Sequence, residues 1–216
     1  DFGVLSYSTA ALAFVVISLL LATAWEGRLQ GGLLLGASVL TIIWAVAAAV
    51  ASYYDLEFAS SYTLQVLEIL RQVAWLLFLL RLFNVIGNKQ KSLRFLSVCQ
   101  WSVLGLTATL VMLFPLKYSI SAAQLLNIRY TGHLLLAFLG LVLIEQIHSN
   151  LKQERRWAFK FLSLSVGGLF AYEFYLYSDA LLFRRVDINL WNARGFINAM
   201  IVPLIAVSAA RNPDWS

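Results

Sequence analysis

Long apolar runs alternate with short polar segments along the whole of this chain. Seven such runs can be marked, at 5–24, 31–51, 63–83, 95–116, 130–147, 161–182 and, less cleanly, 190–210. Most approach the roughly 20 residues that a helix needs to cross the hydrocarbon core of a bilayer. Strands of a membrane barrel would instead show segments of about 10 residues with alternating polarity. In lipid, each backbone polar group must find its partner within the segment, so runs of this kind predict helices. The pattern therefore predicts an all-α, polytopic membrane protein with seven transmembrane helices. The connections are too short for a separate soluble domain, so residues 1–216 read as a single membrane domain.

Composition agrees. Of the 216 residues, 61% are hydrophobic and 12% charged. An average soluble domain has about 25% charged residues, so this chain lacks the polar groups to cover a water-facing surface. The net charge of +5 arises from bases scattered between apolar runs. That distribution fits membrane topology and predicts no nucleic-acid partner. A start at Asp1 reads as a fragment or a processed form. Ala22-Thr23-Ala24 resembles a signal-peptidase site, but a signal peptide opens on a positive segment, and the flank here is Asp1.

The placement of bases gives an orientation. Arg28, the group Arg81, Lys89, Lys91 and Arg94, the group Lys152, Arg155, Arg156 and Lys160, and Arg211 fall on one side. Lys117, Arg129, Arg184, Arg185 and Arg194 fall on the other, where Asp55 and Glu57 also lie. The richer side is expected to be cytoplasmic, which puts the N-terminus outside and the C-terminus inside.

Polar residues within the runs are the candidates for chemistry, because an acid inside a membrane span is costly and by default faces the bundle interior with a partner. Around the sixth run, Glu173, Tyr177 and Arg184 are read on one helical face and Tyr172, Tyr175 and Asp179 on a neighbouring one. Together with Arg185 and Arg194, the set Glu173, Tyr177, Asp179, Arg184, Arg185 and Arg194 forms a candidate outward-facing site for an anionic or saccharide-like ligand. The plainer alternative is that the arginines reach lipid headgroups and the tyrosines form an interfacial belt. In the third run Glu68, Arg71 and Gln72, flanked by Gln65 and Trp75, form a polar stripe. Glu68 and Arg71 stand at the i,i+3 spacing of a helical ion pair. The stripe is expected to fix helix packing, or else to meet the Glu173 cluster. His133 is expected as a satisfied polar residue at a helix interface, with pH sensing as the alternative, and His148 as interfacial.

Several enzyme classes are excluded by what is missing. The last run has no lysine for a retinal Schiff base, and no run carries a Gly-x-Ser-x-Gly turn. Phosphate loops, HExxH and cysteine pairs are absent. Cys99 stands alone, near the opposite end of its run from His133, so a Cys/His dyad is not expected. No catalytic residue and no metal site are expected within the chain.

Three stretches carry a family resemblance: "GRLQGGLLLGA" at 27–37, "LEILRQVAWLLFLLRLF" at 67–83 and "YSDALLFRRVDINLWNARGFINAMIVPLIAVSAARNPDWS" at 177–216. They resemble the N-terminal membrane region of the PrsK histidine kinases, which accompany the PEP-CTERM and exosortase system of exopolysaccharide-producing bacteria. The resemblance implies a sensor in the bacterial inner membrane, working as a homodimer. It also implies a cytoplasmic GAF-type region and a kinase core beyond Ser216. That core would use ATP to phosphorylate its own histidine and pass the phosphoryl group to a response regulator. No phosphoacceptor motif surrounds His148, so kinase chemistry is assigned to the parent and not to these residues. No cofactor is expected in this segment, and its partner is the lipid bilayer. Pro213 is expected to stop or hinge the last helix where it leaves the membrane. The alternative from another class is a small polytopic transporter or channel-like protein, which discontinuous helices would favour.

Overall fold

The computed structural model describes residues 1–24, 27–54, 62–86, 89–116, 121–151 and 153–211. Among the described residues the chain forms seven α-helices and no strand. They are α1 (Phe2–Ala24), α2 (Leu29–Tyr53), α3 (Tyr62–Ile86), α4 (Lys89–Leu116), α5 (Ala122–Asn150), α6 (Gln153–Phe183) and α7 (Ile188–Arg211). Each contains one of the seven apolar runs and extends past it, because the polar residues at the ends can still pair their backbone within the helix. Asp55, Glu57, Lys117, Lys152 and Pro213 lie outside the described residues, as do the side chains of Lys89, Lys91, Arg155 and Arg156.

Six of the helices are long and apolar enough to cross a membrane. The exception is α6, which has the length, at 31 residues, but carries Glu173 and three tyrosines in its apolar part. The polarity of the bundle is that of a multi-pass membrane protein. Leu12, Leu19, Trp101 and Met200 face outward, while Gln65, Glu68, Arg71, Gln72, His133, Glu173, Arg194 and Asn198 are buried.

Six helices close a ring. α1 packs on α2, α2 on α3, α3 on α5, α5 on α6, α6 on α7, and α7 returns to α1. α4 stands outside the ring against α3 and α5. At the ring's closure α1 and α7 run parallel: Gly3 lies against Asn192 and Ser6 against Gly195. A Cβ on Gly195 would collide with the backbone carbonyl of Ser6, so only glycine permits this approach.

The helix ends explain two departures from expectation. Arg129, placed by the sequence pattern in a loop, is buried within α5. That helix starts eight residues before the apolar run at 130, because Ser121 caps it and accepts from the Gln124 amide at 3.4 Å. Ser121-Ala-Ala-Gln124 matches the Ser-x-x-Gln capping pattern. Arg184 does not share a helical face with Glu173 and Tyr177; it follows the last residue of α6 with φ 53. A left-handed residue commonly ends a helix, so the face stops short of it.

Asp187 caps the start of α7, its carboxylate accepting from the amides of Asn189 at 2.8 Å and Leu190 at 3.3 Å. The helix then runs without a break through Pro203. Asp187→Ala should destabilise the protein by ~1 kcal/mol, the usual worth of such a cap. Asp187→Asn, which keeps the accepting oxygen, should recover most of that loss. Thermal unfolding of the purified variants in micelles checks both.

Candidate functional site

The site assembles from the middle of the ring. Glu68 and Arg71 lie one turn apart on α3, Glu173 comes from α6 and Arg194 from α7, and each is at most 1% exposed. Arg71 Nη2 is 2.8 Å from Glu68 Oε1 and 2.5 Å from Glu173 Oε1. Arg194 Nη2 donates to Glu68 Oε1 and reaches Glu173 Oε2 at 2.6 Å. Its Nε adds a bond to Glu173 Oε1 at 3.1 Å. Every guanidinium thus touches both carboxylates, and the two positive and two negative charges cancel.

The neighbouring side chains hold this quartet in place. On α2, Trp44 donates its indole N–H to Glu68 Oε2 at 2.7 Å. Its ring lies 4.1 Å from the Arg71 guanidinium carbon and 4.9 Å from that of Arg194. Trp191 covers Arg194 at 4.7 Å. Asn198 ties Arg71 to α7, accepting from Nη1 at 3.4 Å while donating to the Arg194 carbonyl at 2.8 Å. From α1, Tyr7 donates to the Trp191 carbonyl at 2.5 Å and meets Trp44 edge-on. On the opposite flank His133 of α5 donates from Nδ1 to Gln72 Oε1 at 2.7 Å and stacks on Tyr177, with centroids 4.8 Å apart. All six ring helices therefore supply a side chain to one network; α4 supplies none of these.

The network sits toward the end of the bundle where α1, α3 and α7 begin. Tyr7, Glu68 and Arg194 lie less than two turns into their helices, ~9 Å along the axis.

Of the residues singled out from the sequence, the structure gathers Glu68, Arg71, Gln72, Glu173, Tyr177 and Arg194. It leaves out Asp179, which is half-buried one turn and a half after Glu173, and the exposed Arg184 and Arg185. For the arginines the reason is the α6–α7 turn: the chain leaves α6 at Arg184 and re-enters a helix at Ile188, so only Arg194 is carried inward. The expected i,i+3 pair of Glu68 and Arg71 forms. So does the contact between the α3 stripe and Glu173, which the sequence offered as the alternative to a packing role. Sequence reasoning missed Trp44, Tyr7 and Asn198. The first two read as ordinary aromatic residues of apolar runs. Asn198 had a signal: it stands four residues after Arg194, the spacing of one helical face.

The network can hold charge and exchange hydrogen bonds. Arg71 Nε, Arg194 Nη1, Gln72 Nε2 and the Tyr177 hydroxyl are buried without a hydrogen-bond partner. Among the described residues no group of histidine, cysteine or carboxylate side chains could hold a metal ion. Cys99 is buried on α4. Leu110 is the α4 residue that meets Gly132, next to His133, and Cys99 lies three turns from it, ~16 Å along the helix.

Protein-family models, curated proteins and solved structures offer no match to this chain.

Proposed function

We propose that this chain is the membrane-embedded input region of a bacterial two-component histidine kinase of the PrsK type. In this reading all seven helices span the inner membrane, with the N-terminus outside and the C-terminus in the cytoplasm. The observation that carries the proposal is the neutral charge quartet buried across α3, α6 and α7. Ionisable side chains inside a membrane bundle are expensive and by default functional. Here they join the last helix, the one that leads toward an output domain, to the centre of the bundle. The spare donors on Arg71, Arg194, Gln72 and Tyr177 supply alternative partners. A small rotation of α7 would exchange one set of bonds for another, which is what a two-state sensor needs.

The orientation gains support from the burial of Arg129 and Arg194. Neither counts as a loop base any longer, so the end assigned to the outside is poorer in positive charge than the sequence pattern implied. Glu173 and Arg194 neutralise each other within the core, so an anion site made of these arginines is not part of the proposal. The transporter alternative loses its main argument, since α7 runs unbroken through Pro203.

The test uses membranes carrying the full reading frame, supplied with ATP. The expected result is acid-labile, histidine-linked phosphate whose level changes severalfold in the Glu173→Gln/Arg194→Gln double variant, with membrane insertion retained. Absence of phosphohistidine, or an unchanged level in an inserted double variant, overturns the reading.

A further inference from the structure

The donors left over in the network are not scattered. Arg194 Nη1 on α7, Gln72 Nε2 on α3 and the Tyr177 hydroxyl on α6 are all buried without a protein acceptor, and their side chains surround one place. Gln72 is joined through its Oε1 to His133, which stacks on Tyr177 with centroids 4.8 Å apart. The Arg194 guanidinium carbon lies 5.9 Å from the centre of the Tyr177 ring. Glu68 and Arg194 are the charges that act most strongly on both the Tyr177 hydroxyl and His133, so the phenol and the imidazole face the quartet together. Buried donors in native proteins are nearly always paired, and here three of them from three helices point to one missing acceptor.

We propose that this place is a binding site for water, held between α3, α6 and α7 as part of the network. Three requirements define the occupant. It must accept, because amide and guanidinium nitrogens only donate. It must be neutral, because the two carboxylates and two guanidiniums already cancel and a further ion would stay uncompensated in the core. It must be small, because the helices are closely packed here: Leu136, one turn after His133, and Leu176, beside Tyr177, are at most 1% exposed. Water meets all three. Its own hydrogens find acceptors in Glu68 Oε2, which takes the Trp44 indole N–H, and in His133 Nε2, a lone pair once Nδ1 donates to Gln72. A buried water with about three such bonds is an ordinary component of a folded core. It lets Arg194 shift between the two carboxylates without leaving a bare N–H behind. The inference concerns the network of the sensor reading, but it requires only the folded bundle and no kinase.

The test is water-edited solid-state NMR of the chain in phosphatidylcholine vesicles, with nitrogen-15 in the arginine, glutamine and tryptophan side chains. It reads how fast magnetisation passes from water protons to each N–H. Trp75 is the dry reference: its indole N–H is accepted by Thr41 Oγ1 at 3.1 Å, and the Thr41 hydroxyl donates in turn to the Ala37 carbonyl. Gln72, Arg194 and Trp75 are equally buried, so depth alone predicts equal rates. The expected result is transfer to Gln72 Nε2 and Arg194 Nη1 severalfold faster than to Trp75 Nε1. Rates no faster than that of Trp75 overturn the site. Tyr177→Phe supplies a second sign. A hydroxyl bonded to water contributes to stability, so its loss should lower the melting temperature by about 2–4 °C, the shift one hydrogen bond implies for a chain of this size. It should also slow the transfer to Gln72 and Arg194. Removing a hydroxyl that has no partner relieves an unmet desolvation cost, so a raised melting temperature in this variant overturns the site as well.

Discussion

Glu173→Ala should be the most damaging single substitution in the chain, with an expected loss of about 3–5 kcal/mol, the usual consequence of breaking a buried ion pair from one side. The two guanidiniums would then share Glu68 alone, and one net positive charge would stay in a core that no residue of the network exposes to solvent. Arg194 would lose three of the bonds it makes to Glu173, through Nε and Nη2, and Arg71 its 2.5 Å contact. Removing both signs at once is the informative control. Glu173→Gln/Arg194→Gln leaves Glu68 with Arg71, a neutral pair already 2.8 Å apart on the same helix. The double variant should therefore lose less than the sum of its single variants, with a coupling of roughly 0.5–3 kcal/mol for residues in one network. Unfolding in SDS, followed by tryptophan fluorescence, suits the measurement because Trp44 and Trp191 lie against the guanidiniums. A single-variant loss below ~1 kcal/mol would contradict the buried-pair account and its magnitude.

The second large effect belongs to Gly195→Ala. One methyl group at this position meets the backbone carbonyl of Ser6 as well as its Oγ, and the backbone cannot swing aside, so α1 or α7 must move bodily. The move stretches two bonds that tie these helices together. One is the Phe196 amide to Ser6 Oγ at 2.9 Å, and the other is the Tyr7 hydroxyl to the Trp191 carbonyl. Overpacking of this kind costs ~1–3 kcal/mol, and the weakened hydrogen bonds add about 1 kcal/mol each. Gly36→Ala on α2 is the matched control, because its Cβ would meet nothing within 4 Å. That change should be neutral or stabilising by up to ~1 kcal/mol, the helix-propensity gain of alanine. If both variants unfolded alike, the close crossing of α1 and α7 would have no energetic weight.

The sequence yielded the seven helices to within a few residues at many ends, since segment length and apolar composition are local properties that a membrane enforces. Glu68 with Arg71 was legible for the same reason, as spacing along one helix determines the contact. What the sequence did not yield was the distinction among three arginines of similar surroundings. Arg184, Arg185 and Arg194 differ only in where the helices stop and restart. The left-handed turn at Arg184 and the cap at Asp187 decide that two remain outside and one goes in. The closure of the ring was also hidden. Gly3, Ser6 and Gly195 lie at opposite ends of the chain, and a small residue in an apolar helix gives no hint of which helix it admits.

The distribution of charge within the quartet bears on how such a protein is made. A segment that enters the bilayer during synthesis is assessed before its eventual neighbours exist. α3 arrives with Glu68 and Arg71 already adjacent, so this pair adds no net charge to the segment. Glu173 has no partner on α6, but Arg194 follows 21 residues later across one tight turn, and the α6–α7 hairpin brings its own balancing pair. Each half of the quartet is thus neutral by itself, and the two halves need only merge when α7 docks beside α1. A variant that moved one carboxylate from α6 to α3 would conserve the composition of the finished core. It would still leave each half of the quartet unpaired until α3 met α6 and α7, and the loss would appear in the yield of assembled protein before it appeared in the stability of the folded state.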